Sequence, residues 1–229
     1  MKKRKICVVI NNRANYARIK SALIEIKKNK KLELQIVLGS SAILQRYGEV
    51  SDIIKRDGFK INRSIYTLLE GENLLTMSKS TGISIMEFSS IFNELKPDIV
   101  VVIADRYETL AAAVAASYMN IVLVHTQGGE ITGSIDESVR HATTKLAHIH
   151  FPASLKSKKN IIKMGEDPKK VFLVGCPSLD LINKKNLKID NKFKRKYSSY
   201  GVGELKIDFD KPYVVVLQHP VTTEYGQSY

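Results

Sequence analysis

The 229-residue sequence has only two cysteines, no long apolar run and no glycine-rich dinucleotide fingerprint. Cys7 and Cys176 lack metal-ligand spacing and are too few for a disulfide framework, which favours a reducing compartment. A membrane helix needs ~20 apolar residues, and no stretch approaches that length. The basic start, residues 1–5, leads into a short strand rather than a signal-peptide core. We therefore expect a cytoplasmic protein without a membrane anchor.

Acidic residues are also scarce, since 23 Asp and Glu face 36 Lys and Arg and leave a net charge of +13. Such a charge invites a nucleic-acid interpretation. The lysines, however, fall in scattered runs at 27–31, 156–159 and 184–196 rather than in one stripe. We expect solvated surfaces with a minor role in attracting a phosphorylated substrate, and no nucleic-acid partner.

Short apolar runs alternate with amphipathic helical patterns along the chain. They lie at residues 6–10, 34–38, 99–103, 121–124, 171–175 and 213–217, with a weaker third strand near Ile61. A long helical pattern follows residues 71–73 and stops before Pro97. Strands that are apolar on both sides and separated by helices predict an α/β fold, a Rossmann-like parallel sheet with helices on both faces.

Two charged residues stand directly after predicted strands. Arg13 follows the first strand, where its planar fork suits two phosphate oxygens, although a solvent-exposed turn arginine is the simpler interpretation. Asp105 follows the strand at 99–103, where it either caps the next helix or faces a substrate. Ligands of open α/β sheets bind at this edge.

The most polar stretch runs from His125 to His150, between an apolar strand and a helix. Its side chains capable of acid/base chemistry, together with one arginine, surround a Gly-Gly pair; they are His125, Glu130, Asp136, Glu137, Arg140 and His141. Ser134 and Glu137 have the spacing of a capping box, which marks a helix start. The alternative to an active-site loop is a capped helix in which Asp136 and Arg140 merely pair.

The pattern predicts three segments. Residues 1–182 form the N-terminal Rossmann-like domain, the lysine-rich 183–211 is a linker or peripheral helix, and 212–229 holds the first strand and loop of a second Rossmann-like domain. A lone parallel strand is not a domain, so we expect a chain that is cut short within its second domain.

Several short motifs in fixed order resemble the hydrolysing UDP-N-acetylglucosamine 2-epimerases of sialic and legionaminic acid synthesis. They are residues 12–16, 104–108, 128–130 with 133–136, 140–141, 145–148, 175–177 and 217–223. The resemblance implies two Rossmann-like domains facing across a cleft, as in glycosyltransferases of the B type. The second domain would hold most of the nucleotide, and this chain alone would be inactive.

The resemblance also implies the chemistry and the residues for it. A UDP-N-acetylhexosamine would lose UDP as its C2 proton is removed, and water would add to the resulting glycal, with no cofactor or metal. Relatives assemble as homodimers or homotetramers. The implied catalytic residues are Asp105, Glu130, Asp136 and His219, and the implied substrate-binding residues are Arg13, Gln127, Arg140 and His141, of which Arg13 contacts the phosphates.

One departure from the family's pattern concerns the base. Gln127 stands where relatives commonly have an acid, and Ser41 and Ile103 stand where some have histidine. A carboxamide cannot accept a proton, so the base would be Glu130 or Asp105, or the sugar would be a 2,4-diacetamido-trideoxy analogue. The alternatives are a non-hydrolysing epimerase, a glycosyltransferase of the same architecture, and a non-catalytic module that binds nucleotide sugars.

Overall fold

The computed structural model describes residues 2–48, 50–71, 73–182, 189–200 and 206–216. The chain divides into two compact units, Met1–Leu179 and Asp180–Tyr229. All six strands found among the described residues belong to the first unit. Within the described ranges, no helix combines the length and the apolar character needed to cross a bilayer.

The first unit is built on one parallel sheet, as the sequence predicts. Its strands are β1 (Arg4–Ile10), β2 (Leu32–Leu38), β3 (Arg63–Ser64), β4 (Ile99–Ile103), β5 (Val122–Thr126) and β6 (Ile149–Phe151). Every pairing is parallel, in the order β3-β2-β1-β4-β5-β6. This is the Rossmann order, in which ligands bind where the order reverses, outside the ends of β1 and β4.

Helices connect the strands and cover both faces of the sheet. They are α1 (Arg13–Lys28), α2 (Val50–Arg56), α3 (Leu74–Leu95), α4 (Tyr107–Tyr118), α5 (Ile135–Leu146) and α6 (Leu155–Lys163). Asn12 starts α1 by accepting a hydrogen bond from the Asn15 N–H at 2.8 Å. Asn73 starts α3 in the same way from Thr76. These side chains satisfy N–H groups that a helix start leaves unpaired.

Side-chain alternation along the strands divides the core into two layers. On one face of β1, Val8 packs in a cluster with Leu23 of α1. On the other face, Val9 packs with Phe88 of α3. The second layer also includes the alanines of α4, namely Ala111, Ala112, Ala113, Ala115 and Ala116, which are all buried. Small side chains let α4 lie close between α3 and α5, which fixes the loop that precedes it.

The prediction of a strand at residues 171–175 is wrong, because only one residue of this segment pairs with the sheet. Only Val171 bridges to His150, and the chain beyond it runs beside β6 through the bond from the Phe172 N–H to the His150 carbonyl, at 2.9 Å. Gly175 has a φ of +79°, which turns the backbone out of the sheet. Phe172 and its neighbours remain half exposed, because no further strand covers them in the described part of the first unit.

In the second unit, the described residues form one short α-helix, α7 (Asn191–Tyr197), followed by a 3-10 turn at Ser198–Tyr200. Phe193 of α7 packs against Tyr197 and Phe209. The buried strand predicted from residue 213 is not formed by residues 213–216, whose side chains are exposed. A parallel strand needs neighbours to complete its hydrogen bonds, and the described residues of this unit supply none. Leu217, its last predicted residue, lies outside the described ranges.

Candidate active site

The candidate site lies at the edge of the sheet where β1, β4 and β5 end. Ile103 of β4 pairs with Thr126 of β5, so the residues that follow them emerge side by side. Asn15, in the first turn of α1 just after β1, donates from its side-chain amide to the Ile103 carbonyl at 3.4 Å. The edge therefore brings the loop that contains Asp105 next to the polar stretch of residues 127–141.

An ion pair between the buried Arg140 and the partly exposed Asp105 joins the two loops. The Arg140 guanidinium, 1% exposed, donates from Nη2 to the Asp105 carboxylate. Its Nη1 donates to the Glu130 carbonyl at 2.6 Å. The interpretation in which Arg140 merely pairs with Asp136 is wrong for the described structure. Tertiary folding brings Asp105 within hydrogen-bond reach of an arginine that local spacing would pair with Asp136 on its own helix.

Asp136 lies in the first turn of α5, on the same face as Arg140. Burial raises its pKa, and the negative charge of Asp105 raises it further, against the lowering effects of Arg106 and Arg140. A carboxyl group with a raised pKa is suited to exchange a proton near neutral pH.

The start of α5 differs in detail from a capping box. Ser134 is the N-cap residue, as predicted, but its side chain makes no capping hydrogen bond. Glu137 instead accepts from the Thr132 N–H at 2.7 Å and the Gly133 N–H at 2.6 Å. These two backbone donors lower the pKa of Glu137. Glu137 is therefore occupied in holding the loop.

His125 is buried and structural. Its Nε2 lies 2.8 Å from the Ala104 carbonyl, which can only accept, so Nε2 donates. Nδ1 then accepts from the Thr144 hydroxyl at 3.1 Å. Burial lowers the pKa of His125 from 6.5 to about 4, so the ring is neutral. It supports Ala104, whose φ of +60° lies in the left-handed region just before Asp105.

Gln127 points away from the charged cluster. Its side chain is 3% exposed, and Nε2 donates to Cys176 Sγ at 3.6 Å. Its backbone N–H donates to the Phe151 carbonyl at 2.9 Å. The carboxamide is therefore buried against an uncharged partner, where an unpaired carboxylate would be costly.

The remaining predicted residues occupy different surroundings. Glu130 is half buried beside Arg140, and its carboxylate accepts no hydrogen bond from the described residues. Arg13 is the exposed first residue of α1, with its guanidinium near Gly48. His141 Nε2 lies 3.8 Å from the Glu137 carboxylate.

His219 lies outside the described residues. Within those residues, no group of three or more His, Cys, Asp or Glu side chains is arranged to hold a metal ion.

Sequence reasoning missed a second charged pair at the same edge. Glu108, in the first turn of α4, is buried; it accepts from the Ser40 hydroxyl at 2.6 Å and lies 3.5 Å from Arg106 Nε. The sequence does contain a signal for this pair, because the charged residues at 105–108 directly follow the most apolar strand. Of this run, only Asp105 was predicted as a site residue.

Protonation of His125 predicts a pH-dependent stability. The unfolded histidine, with a pKa near 6.5, binds protons more tightly than the folded one, so its contribution is complete above ~pH 6.5 and is lost as pH falls toward 4. Between about pH 7 and about pH 5 we expect a loss of about 2 kcal/mol in the free energy of unfolding. Urea denaturation should show a loss in the wild type that exceeds the loss in His125→Gln by about this amount, since His150, whose pKa is also lowered, contributes to both. Equal losses in both proteins would contradict the assignment.

Two glycines of the loop provide a matched test of its packing. Gly129 and Gly133 have φ of +81° and +73°, but an added Cβ at Gly129 would lie 2.3 Å from the Ser157 carbonyl oxygen, whereas at Gly133 it meets nothing within 4 Å. Gly133→Ala should cost about 1–2 kcal/mol from backbone strain alone. Gly129→Ala should cost at least about 1 kcal/mol more, measured by thermal denaturation. Similar costs would show that α6 does not press on the loop.

Comparisons with known proteins define the family of this chain. The family model for UDP-N-acetylglucosamine 2-epimerase matches residues 24–228. The chain is 35% identical over 223 residues to GDP/UDP-N,N'-diacetylbacillosamine 2-epimerase (hydrolyzing) of Campylobacter jejuni, covering 97% of this chain and 56% of that protein. It is also 35% identical to the hydrolyzing UDP-N,N'-diacetylbacillosamine 2-epimerase of Legionella pneumophila, over 96% and 56% of the two chains.

A solved structure extends the comparison to the fold. UDP-GlcNAc 2-epimerase from Neisseria meningitidis, bound to UDP-GlcNAc, superposes with a TM-score of 0.71 at 21% identity, over 86% of this chain and 53% of that one. The chain thus spans about half the length of the relatives it matches. The predicted Rossmann-like fold and the predicted family are both confirmed: the chain belongs to the UDP-N-acetylglucosamine 2-epimerase family.

Proposed function

We propose that the protein is a hydrolysing 2-epimerase of a UDP-N-acetylhexosamine, either UDP-N-acetylglucosamine or a 2,4-diacetamido-trideoxy analogue. The observation that supports this most directly is the group formed by Asp105, Arg140 and Asp136 at the edge of the sheet. The two hydrolysing relatives named for diacetylbacillosamine favour both the hydrolytic outcome and a diacetamido sugar.

The proposed reaction needs groups that move one proton off C2 and return another. A carboxylate takes the C2 proton, the C1–O bond breaks with its electron pair leaving on UDP, and a C1=C2 double bond forms. Water then adds its hydroxyl to C1, and a proton adds to C2 from the opposite face. The net change is UDP-sugar and water to UDP and free 2-epimer, which requires positioned acid/base groups.

We assign the roles from the environment of each side chain. Asp105 is paired with Arg140, and Asp136, whose pKa is raised, is the acid that returns a proton to C2. Glu130 is assigned as the base that takes the C2 proton, since its carboxylate accepts no hydrogen bond from the described residues. Arg140 is committed to Asp105 and the Glu130 carbonyl, so it orients the loop, and His141 supports it. His219 would complete the site.

The phosphates of the substrate are assigned to the end of β1. Arg13 is exposed at the first residue of α1, where the helix dipole also favours a negative charge. Gln127 would act through the shape of the site, because its carboxamide is bound to Cys176. These assignments need no cofactor or metal for the proposed steps.

The remaining parts of the proposal concern the whole protein. Because the relatives are about twice as long as this chain, we propose that residues 212–229 begin a second Rossmann-like domain, with 183–211 as the connection. That domain would hold most of the nucleotide. We further propose a cytoplasmic homodimer or homotetramer.

The direct test is proton NMR of the protein expressed from its complete gene, with UDP-N-acetylglucosamine or its diacetamido analogue in deuterated water. We expect released UDP and free 2-epimer with deuterium at C2, whereas the 229 residues alone should leave the spectrum unchanged. An epimer that keeps its UDP would instead identify a non-hydrolysing enzyme. Substrate binding without either product would support a non-catalytic module.

A separate prediction concerns Glu130, since Gln127 stands where an acid is commonly found. Glu130→Gln should abolish turnover, because a carboxamide cannot accept the C2 proton. Glu94→Gln is the control, since it removes an exposed carboxylate paired with Arg63. The decisive measurement is UDP release at saturating substrate, and a near-normal rate in Glu130→Gln would reject Glu130 as the base.

A further inference from the structure

The two glycines in the loop between β5 and α5 lie between two helices. A Cβ added at Gly128 would lie 2.8 Å from the Thr144 hydroxyl of α5, and one added at Gly129 would lie 2.3 Å from the Ser157 carbonyl oxygen of α6. The backbone therefore approaches both helices more closely than a side chain would allow. It is confined in this way directly before Glu130, the assigned base.

Asn160 of α6 adds a hydrogen bond to this close contact. Its side-chain Nδ2 donates to the Gly129 carbonyl at 2.9 Å, in a partly buried position. Asn160 follows Ser157 by three residues, so both lie on the face of α6 that meets the loop. A buried carbonyl without a donor is costly, so we expect the Gly129 carbonyl to turn toward another donor when the amide of Asn160 is removed.

Two hydrogen bonds thus hold the peptide groups on either side of Glu130. Asn160 binds the Gly129 carbonyl, which belongs to the peptide group before Glu130. Arg140 Nη1 binds the Glu130 carbonyl at 2.6 Å, which belongs to the peptide group after it. Because each peptide group is planar, holding both of them sets φ and ψ of Glu130 and hence the direction of its Cα–Cβ bond.

The Glu130 carboxylate depends on this backbone support, because it accepts no hydrogen bond from the described residues. We propose that Asn160 is a positioning residue that, together with Arg140, directs the Glu130 carboxylate toward the C2 proton of the sugar. The role of Glu130 as the base rests on the proposed function. The hydrogen bond from Asn160 to the Gly129 carbonyl does not rest on it.

Kinetics of the protein expressed from its complete gene test this role. Asn160→Leu removes the donor and keeps the branched shape of the side chain. We expect kcat for UDP release to fall by about 10- to 100-fold, because a small misplacement of a reacting group can cost that much, with KM within about two-fold. Asn160→Gln keeps an amide donor and should recover most of the lost rate. Lys159→Leu, at the neighbouring exposed position of α6, is the control and should change nothing.

An isotope effect separates misplacement of the base from a loss of folded enzyme. With substrate deuterated at C2, Asn160→Leu should show a larger deuterium effect on kcat than the wild type, because removal of the C2 proton becomes the slow step. A smaller amount of active enzyme would lower kcat and leave the isotope effect unchanged. The proposal would be overturned by a normal kcat, by a rise in KM alone, by a lower kcat with an unchanged isotope effect, or by equal losses in Asn160→Leu and Asn160→Gln.

The hydrogen bond itself is tested by NMR, independently of turnover. Protein labelled with carbon-13 at glycine carbonyls and nitrogen-15 in glutamate gives one signal for each Gly–Glu peptide, and the signal of Gly129 is the one that disappears in Glu130→Gln. This carbonyl carbon should move upfield in Asn160→Leu, since the loss of a donor shields it, and should return in Asn160→Gln. Circular dichroism confirms that each variant is folded.

An unchanged Gly129 signal in Asn160→Leu would show that Asn160 does not hold this carbonyl, and would also overturn the proposal. Absence of turnover in the wild type would reject the proposed function, while the NMR signal would still decide whether Asn160 holds the peptide group before Glu130.

Discussion

The ion pair between Asp105 and Arg140 is the contact on which the candidate site depends. A fully buried guanidinium loses several kcal/mol of hydration, and only a well-placed carboxylate with further hydrogen bonds offsets that cost. Asp105 provides the charge and the Glu130 carbonyl provides a second acceptor. Because one partner follows β4 and the other lies on α5, the pair fixes the loop between β5 and α5 against the sheet.

The surrounding contacts keep Asp105 in position for this pair. Ala104 adopts a left-handed backbone conformation, which costs of order 1–3 kcal/mol, and the buried His125 ring binds its carbonyl. Ser40 and Gln127, which follow β2 and β5, also have positive φ values. Positive φ values therefore occur after three strands of the sheet, β2, β4 and β5, at the edge where the charged side chains converge.

The same edge shows how one set of carboxylates is given different tasks. Glu137 is held ionised by two backbone N–H groups, and Asp105 pairs with Arg140. Asp136 alone among the acids of the α5 turn has its pKa raised by burial and by a like charge. Carboxyl groups of the same kind thus acquire different pKa values from their neighbours. This difference is what allows one to act as an acid and another as a base at the same pH.

The sequence by itself determined the parallel sheet, the helix starts and the loops that contain the charged residues. Strands and helix starts depend on residues that are close together in the sequence, so apolar runs and capping residues predict them directly. The tertiary structure alone decided which charges meet. Arg140 pairs with a residue 35 positions away rather than with Asp136 on its own helix, and Glu108 is buried against Ser40, 68 positions away. Local spacing could not supply these partners, because residues far apart in the chain meet only when the parallel sheet brings the loops after its strands to one edge.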